Sequence, residues 1–562
     1  MMVRAKGVLT HHWIKGAVLH PWAFATYPAL SLYAHNVGQG FLGDAIAITF
    51  GIVLCTGLLW LLARLVLGDW LKSAIFVSFF VTIFFLHGHV ISAVEGLSEW
   101  LHLGDSAAFF IDGRTSTFFW LGVWGTLLAI TFCLVARSKN DLRTVNSVLN
   151  IIGLALWMLL GASLLIAAVS AIAGSQATPG ATRTSVALQT DGPNEGDDGV
   201  LSQWKWDEIC WQGDAPIVKA AGHPGSLPDI YYIIIDAYAG AEILKDIYQL
   251  DNSEFLTYLS DRHFYIASDS RSNYSQTALS LASSLNMIYL DALPSQLDPE
   301  TSARQPLRQM IQESCLVRFL REHGYTTYAY DTGYEFTNLK NADVFVAPAG
   351  GWTRSEFTET LIALTPLAAF QKTWFDFRRE RILYAFEHVA DAADVAEPTF
   401  AFVHVLVPHW PFIFDSDGTP VEPPRGIGSR TDYEYDEFIE GYRNQLLYVN
   451  ELLMASIDEI LSHSATPPVI ILQADHGPDA RLDFDWNIEE TYLPERMSIL
   501  NALYLPGQED IDLYPAITPV NAFRVVLNRY FGTDLELLAD RSFFSEWDHP
   551  YLFIDVTHAV GD

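Results

Sequence analysis

Pro467-Pro468-Val469-Ile470-Ile471-Leu472-Gln473-Ala474-Asp475-His476-Gly477 decides how this chain reads. The apolar run is short, β-branched and opened by two prolines, which predicts a buried strand of an α/β sheet. It stops on Asp475-His476, so a carboxylate and an imidazole stand at the strand's carboxyl end. Open α/β sheets hold their ligands at that edge. A plain turn has the same look, with Gly477 supplying the bend. A second run of the same kind tips the balance: Pro228-Asp229-Ile230-Tyr231-Tyr232-Ile233-Ile234-Ile235-Asp236 again ends an apolar strand on a carboxylate.

Between the two lies Asn273-Tyr274-Ser275-Gln276-Thr277-Ala278-Leu279-Ser280-Leu281, a hydroxyl cluster that opens a segment with helical spacing. A helix start offers free N–H groups and a partial positive charge, which suits an incoming phosphate. Around these three motifs, strands alternate with helices. Strands are expected at Tyr325–Tyr330, Asp343–Val346, Thr399–Val407 and Ser498–Leu505. Helices are expected at Glu242–Leu259, Ser275–Tyr289, Arg318–His323, Phe377–Ala392, Tyr433–Ser462 and Val520–Tyr530. That alternation predicts a mostly parallel sheet covered by helices on both faces.

The rest of the chain has a different character. Of 562 residues, half are hydrophobic, and the formal net charge is −33. Residues 1–174 hold nine Lys/Arg and seven Asp/Glu, a net of +2; the remainder holds 24 and 59, a net of −35. A near-neutral greasy region thus precedes a strongly acidic one. Such acidity argues against nucleic acid as a partner. Five stretches, 17–35, 44–67, 73–94, 116–136 and 149–173, have the length and apolarity of membrane spans, for which about 20 residues suffice. Because further spans follow the first at once, it is not a cleaved signal.

Basic residues give the orientation. Arg4, Lys6 and Lys15 precede the first span, Arg64 and Lys72 flank the second loop, and Arg137, Lys139 and Arg143 fill the fourth. The first and third loops carry only Arg114, beside Glu95, Glu99, Asp105 and Asp112. The expectation is a cytoplasmic N-terminus and, after five crossings, an extracytoplasmic domain anchored in the plasma membrane. His87 and His89 read as packed or interfacial histidines. The domain plan is then a transmembrane domain over residues 1–174, a linker over 175–225 rich in Gly, Pro and Asp, and a catalytic domain over 226–562. Trp204, Trp206 and Trp211 lie at the lipid boundary or against the catalytic domain. Cys55 and Cys133 sit in apolar spans as small hydrophobes. Cys210 and Cys315 lie in the acidic region, where export would permit a disulfide between them.

Strand-to-Asp236, then a hydroxyl at a helix start, then strand-to-Asp475-His476, in that order, resembles the alkaline phosphatase superfamily, which includes sulfatases and phospho-head-group transferases. The resemblance implies an alkaline phosphatase-like fold and a shared metal site: Asp236, Ser275, Asp475 and His476 around one divalent ion. Mixed oxygen and nitrogen donors suit Zn2+ or Mn2+, with Mg2+ also admissible. Ser275 is then the nucleophile, activated by the ion, and Thr277 is the fallback. Sulfatases carry Cys or Ser followed by x-Pro-x-Arg, and Ser275-Gln276-Thr277-Ala278-Leu279 lacks both. That favours phosphoryl over sulfuryl transfer. Sulfatases also tend to pair aspartates after the first strand; Ala237 follows Asp236 here, which favours a single metal ion.

His409-Trp410-Pro411-Phe412 resembles a His-x-Pro-Phe/Tyr segment of lipoteichoic acid synthases, where the histidine meets the substrate phosphate. This implies substrate binding or leaving-group protonation for His409. His404 reads equally as a substrate ligand and as a hydrogen-bonded core histidine. Asp331, in Asp331-Thr332-Gly333, reads as a turn former, with a substrate or second-metal role as the alternative. Arg496 pairs with an acid or clamps a phosphate. Spans, linker and outer domain together look like the lipoteichoic acid synthase and phosphoethanolamine transferase layout. There the first ligand is typically Glu and the nucleophile Thr, where this chain has Asp236 and Ser275. The expected activity is transfer of a phosphoglycerol- or phosphoethanolamine-type head group from a membrane lipid donor to an envelope glycan or lipid acceptor, through a phosphoseryl-type intermediate. The alternatives are an anchored phosphoric or sulfuric ester hydrolase and, in another class, a non-catalytic envelope or transport protein.

Overall fold

A computed structural model describes residues 17–36, 42–101, 113–176, 227–291, 293–295, 297, 299–348, 356–367, 372–421, 433–483, 485–507 and 513–560. Most of the linker, with Trp204, Trp206, Trp211 and Cys210, lies outside the described residues. So do Arg4, Lys6, Lys15, Asp105 and Asp112 of the orientation argument. Cys55 and Cys133 are free thiols, and Cys315 is disulfide-bonded. The chain divides into two compact units. One comprises Met1–Thr190 with Arg354–Trp374, and the other Asp191–Thr353 with Phe375–Asp562.

The first unit contains helices α1 (His20–His35), α2 (Leu42–Leu67), α3 (Trp70–Trp100), α4 (Gly113–Arg137) and α5 (Arg143–Gln176). Among the described residues, four stretches, Leu42–Leu67, Trp70–Val94, Phe118–Arg137 and Arg143–Leu165, are long and apolar enough to cross a membrane. Helix α1 has 16 residues and carries Pro28 inside it. At about 1.5 Å per residue it falls short of the ~30 Å hydrocarbon core. Its start is tied to α5: Asn150 Oδ1 accepts the Leu19 and His20 N–H groups, at 2.9 and 3.1 Å. A Cβ on Gly153 would come within 2.8 Å of the Ala23 Cβ, so glycine lets these two helices touch. His87 is a packed histidine, accepting the Trp124 indole N–H at 2.9 Å.

The second unit is built in chain order from β1 (Ile230–Ile235), α6 (Ala241–Asp246), α7 (Ser253–Asp261), β2 (Tyr265–Ile266), α8 (Thr277–Asn286), α9 (Gln305–Gln312), α10 (Cys315–Glu322), β3 (Thr326–Tyr330) and β4 (Val344–Val346). Helix α11 (Glu356–Ala363), which follows in the chain, belongs to the first unit. Then come α12 (Lys372–His388), β5 (Thr399–Val405), α13 (Tyr435–His463), β6 (Val469–Gln473), α14 (Leu493–Met497), β7 (Asn501–Tyr504), α15 (Pro519–Tyr530), β8 (Phe543–Phe544) and β9 (Ile554–Asp555).

The seven-stranded sheet runs β2-β7-β6-β1-β5-β3-β4. Strands β6, β1, β5, β3 and β4 are mutually parallel, and β7 and β2 add antiparallel at one edge. The sheet is therefore mostly parallel, as the strand–helix alternation predicts. Its central strands are buried along their whole length because helices cover both faces. On one face Ile230, Tyr232 and Ile234 pack with Leu279, Leu281, Phe523 and Val526 from α8 and α15. Tyr231, Ile233 and Ile235 on the other face are equally buried.

Register positions the site. Ile234 pairs with both Gln473 and His404. Two residues further along, Asp236 comes level with Asp475 just past the strand ends. The helix expected from Ser275 begins instead at Thr277, with Gln276 extended at its N-cap. Ser275 therefore belongs to the extended segment that precedes the helix.

Candidate metal and nucleophile site

Two tight turns present the acids. Ala237 sits at φ 63°, a left-handed conformation that costs a residue with a Cβ about 1–2 kcal/mol. It is held there from both sides. Its N–H donates to Asp475 Oδ1 at 3.2 Å, and its carbonyl accepts the Tyr442 hydroxyl at 2.8 Å. Gly477 closes the second turn against backbone: a Cβ there would lie 2.0 Å from the Glu495 carbonyl oxygen. Its N–H donates to the Arg496 carbonyl at 2.7 Å. Any larger residue would push the Asp475-His476 corner away.

Between these turns the side chains converge. Ligand atoms of Asp236, His404 and Asp475 all lie within 4.8 Å of one another. His476 Nε2 is 3.3 Å from Asp475 Oδ2 and 3.7 Å from Asp236 Oδ1. Its Nδ1 lies 2.9 Å from the Gly477 carbonyl. A carbonyl only accepts, so the proton is on Nδ1 and the Nε2 lone pair faces the cluster. Thr277 Oγ1, on the first residue of α8, meets that Nε2 at 3.0 Å.

The cluster has the electrostatics of a cation site. Asp236 Oδ1, Asp475 Oδ2 and His404 Nε2 are buried without a hydrogen-bond partner. Burial, then the facing Asp475, hold the Asp236 carboxyl well above the usual carboxylate range. Burial also pushes Asp475 upward, but His476, His404 and the Thr277 hydroxyl outweigh it and its pKa is lowered. Burial brings His404 down to about 4 and His476 down to about 3. Neutral imidazoles are the protonation state that metal ions bind, and a cation here would offset the burial and the Asp475 charge that raise Asp236. Two oxygen donors and two nitrogen donors fit a divalent ion of the zinc or manganese kind.

The remaining expected residues divide. His404 is drawn in: its Nδ1 meets Thr337 Oγ1 at 2.9 Å and its Nε2 lies 3.8 Å from Asp236 Oδ2. His409 stands at the rim, its ring centroid 6.4 Å from that of His476. Its Nδ1–H donates to the Trp410 carbonyl at 2.6 Å, and burial lowers its pKa. Among the described residues, no hydrogen bond joins the Ser275 side chain to the cluster. Its hydroxyl is fully buried and accepts the Ser545 N–H at 3.4 Å. Asp331 is consumed elsewhere, pairing with Arg381 at 2.8 Å and accepting from Gly333 and Asn338. The turn-forming reading describes it. Arg496 braces backbone, donating to the Ser275 carbonyl at 2.9 Å and the Gly477 carbonyl at 3.1 Å. It thereby ties the hydroxyl segment to the Asp-His corner. Asp479 escapes sequence reading: its Oδ2 accepts the Trp410 indole N–H at 2.8 Å across 69 positions, and nothing local signals that pairing.

Solved structures of similar shape include the periplasmic domain of EcEptC from Escherichia coli in complex with Zn. It shares 13% identity, covering 59% of this chain and 93% of that one, with a TM-score of 0.40. The soluble domain of lipooligosaccharide phosphoethanolamine transferase A from Neisseria meningitidis also shares 13%, covering 55% and 90%, with a TM-score of 0.35. BT1596, a 2-O GAG sulfatase, shares 13%, covering 55% and 72%, with a TM-score of 0.38. No curated protein matches the chain. A family model described as Sulfatase matches residues 228–523, more than half of the sequence and every residue of the cluster. The matched unit is thus an enzyme domain, and the chain belongs to the Sulfatase family.

Proposed function

We propose that the protein is a membrane-anchored phosphotransferase. It moves a phosphoglycerol- or phosphoethanolamine-type head group from a membrane lipid to an envelope glycan or lipid through a phosphothreonine at Thr277. The observation that carries this reading is the Thr277 hydroxyl, set on a helix N-terminus and 3.0 Å from His476 Nε2 at the edge of the carboxylate cluster. Asp236, Asp475, His476 and His404 would hold one divalent ion, which supplies Lewis-acid polarisation of a phosphoryl oxygen and acidifies a hydroxyl.

The chain's own residues do the rest. Free N–H groups at the start of α8 bind phosphoryl oxygens. Thr277 Oγ1 forms a bond to phosphorus, and the lipid alcohol departs with a proton. An acceptor alcohol then attacks the phosphothreonine and restores the hydroxyl. With its Nδ1–H committed to the Trp410 carbonyl, His409 offers the Nε2 lone pair to the incoming alcohol's proton. Water in the acceptor's place would make the same site a hydrolase. An N-terminus in the cytoplasm and a catalytic domain outside, with α1 as a fifth crossing, complete the proposal. The disulfide-bonded Cys315 supports an oxidising compartment for that domain.

The test is to incubate the full-length protein in detergent with zinc and either phosphatidylethanolamine or phosphatidylglycerol, quench, and map phosphorylation by peptide mass spectrometry. The expected result is a head-group phosphate mass on the peptide containing Thr277. A modified Ser275, or an active protein with no covalent adduct, would overturn the mechanism.

A further inference from the structure

The family match ends at residue 523, yet the segment that leads into Thr277 is held by residues beyond that point. Strand β8 pairs with β9 on one side and runs along residues 272–276 on the other. Ser542 Oγ donates to the Ser272 carbonyl at 2.8 Å, and Phe543 N–H donates to the Asn273 carbonyl at 2.9 Å. Ser275 N–H donates to the Phe543 carbonyl at 3.2 Å, and Ser545 N–H donates to Ser275 Oγ at 3.4 Å. The rings of Tyr274 and Phe543 stack at 5.4 Å.

Gln276 locks the end of this strap. Its side chain is buried beside the nucleophile, yet it does not cap the helix it precedes. Nε2 donates instead to the Ser545 carbonyl, the Ser545 hydroxyl and the Glu546 carbonyl, at 3.2, 3.2 and 3.0 Å. Oε1 accepts from Arg304 at 2.9 Å. Arg304, only 1% exposed, also donates to the Trp547 carbonyl and lies 4.0 Å from the centre of the Trp547 ring. A buried guanidinium and a fully used amide therefore fix the residue next to Thr277.

We infer that the C-terminal strap 541–547, through Gln276 and Arg304, is the positioning device for the Thr277 hydroxyl. This rests on Thr277 being the nucleophile. A hydroxyl at the first position of a helix takes its direction from the residue before it. Displacement of a reacting atom by about 1 Å costs roughly 100-fold in rate.

The experiment uses the full-length protein, a soluble chromogenic phosphodiester, and zinc content per chain by elemental mass spectrometry. Gln276→Leu keeps the length and removes every hydrogen bond. Its kcat is expected to fall roughly 10–100-fold, with KM within about twofold and zinc content unchanged. Arg304→Lys keeps the charge but loses the two-pronged geometry; it is expected to fall about 3–10-fold in kcat, and it decides the matter should Gln276→Leu fail to fold. A folded variant with wild-type kcat overturns the inference. So does a loss of kcat that merely tracks loss of folded protein, because Gln276 would then be structural only. Thr277→Ala, run in parallel, separates the two ideas: if it stays active, the nucleophile assignment has failed rather than the strap.

Discussion

Thr277→Ala and Ser275→Ala should behave oppositely, and the contrast tests how the hydroxyl segment is read. Thr277 is half-buried, and its side-chain oxygen hydrogen-bonds His476 and also acts on Asp475. Replacing it removes that bond, worth about 1 kcal/mol, and leaves alanine, a good helix former, at the head of α8. Melting should barely change. Catalysis should not survive: losing a covalent nucleophile costs at least ~10^4-fold, or about 5.5 kcal/mol at 1.36 kcal/mol per tenfold. Ser275→Ala strips the acceptor from the buried Ser545 N–H. An orphaned buried donor costs about 1–3 kcal/mol of stability. Activity, however, should remain within about tenfold of wild type, because the amide of Gln276 still holds the strap. Both variants are scored by thermal melting and by initial rates on a soluble phosphodiester. A folded Ser275→Ala protein without activity, or a Thr277→Ala protein within tenfold of wild type, would refute the reasoning.

Two further perturbations follow from the same geometry. Gly477→Ala should destabilise the second unit by about 3 kcal/mol or more, because the new methyl group would meet three backbone carbonyls at 2.0–3.0 Å; chemical denaturation with an unchanged m-value would show it. Chelation should abolish turnover and lower the melting temperature, and zinc at about 100 times its Kd should restore about 2.7 kcal/mol. Asp236→Asn, with a neutral donor in place of the carboxylate, should bind less metal per chain, and an undiminished zinc content in that variant would remove Asp236 from the ligand set.

What can be read from the chain depends on how local the cause is. The runs 230–235 and 469–473 are continuous, β-branched and buried on both faces, so nothing competes with a central strand there. Asp236, Asp475 and His476 follow because they sit where those strands stop. The nucleophile proposed here lies two residues after the expected one because Ser275, Gln276 and Thr277 can each precede a helix, and the helix begins at Thr277. Helical spacing downstream does not distinguish among them. Ser275 and Gln276 are held instead by residues 543–547, some 270 positions away. His404 is hydrogen-bonded on one side, with Nδ1 meeting Thr337, while its Nε2 is unpartnered among the described residues and faces Asp236, a placement that no local pattern in the sequence signals. Helix α1 shows the limit of counting apolar residues: its stretch has a span's composition, but its helix holds 16 residues and is shorter than the four described helices of membrane-crossing length.

The charge count around Asp236 reconciles a strongly acidic chain with an anionic substrate. The groups that act on it are Asp475, Asp479, Arg496 and Arg378, so three carboxylates face two guanidiniums. With all three carboxylates ionised, as a bound cation would hold them, the set is negative by one, and Arg496 already gives its Nε–H and one Nη1–H to the Ser275 and Gly477 carbonyls. A divalent cation reverses the sign to a net of +1, and it does so where the local dielectric is low and the field is strongest. The many exposed acids elsewhere matter much less, since salt screens them beyond about 8 Å. Substrate affinity at this site should accordingly depend on metal loading as steeply as rate does, and the absence of a proline-arginine pair after Ser275 leaves the cation as the principal source of positive potential for the phosphoryl group.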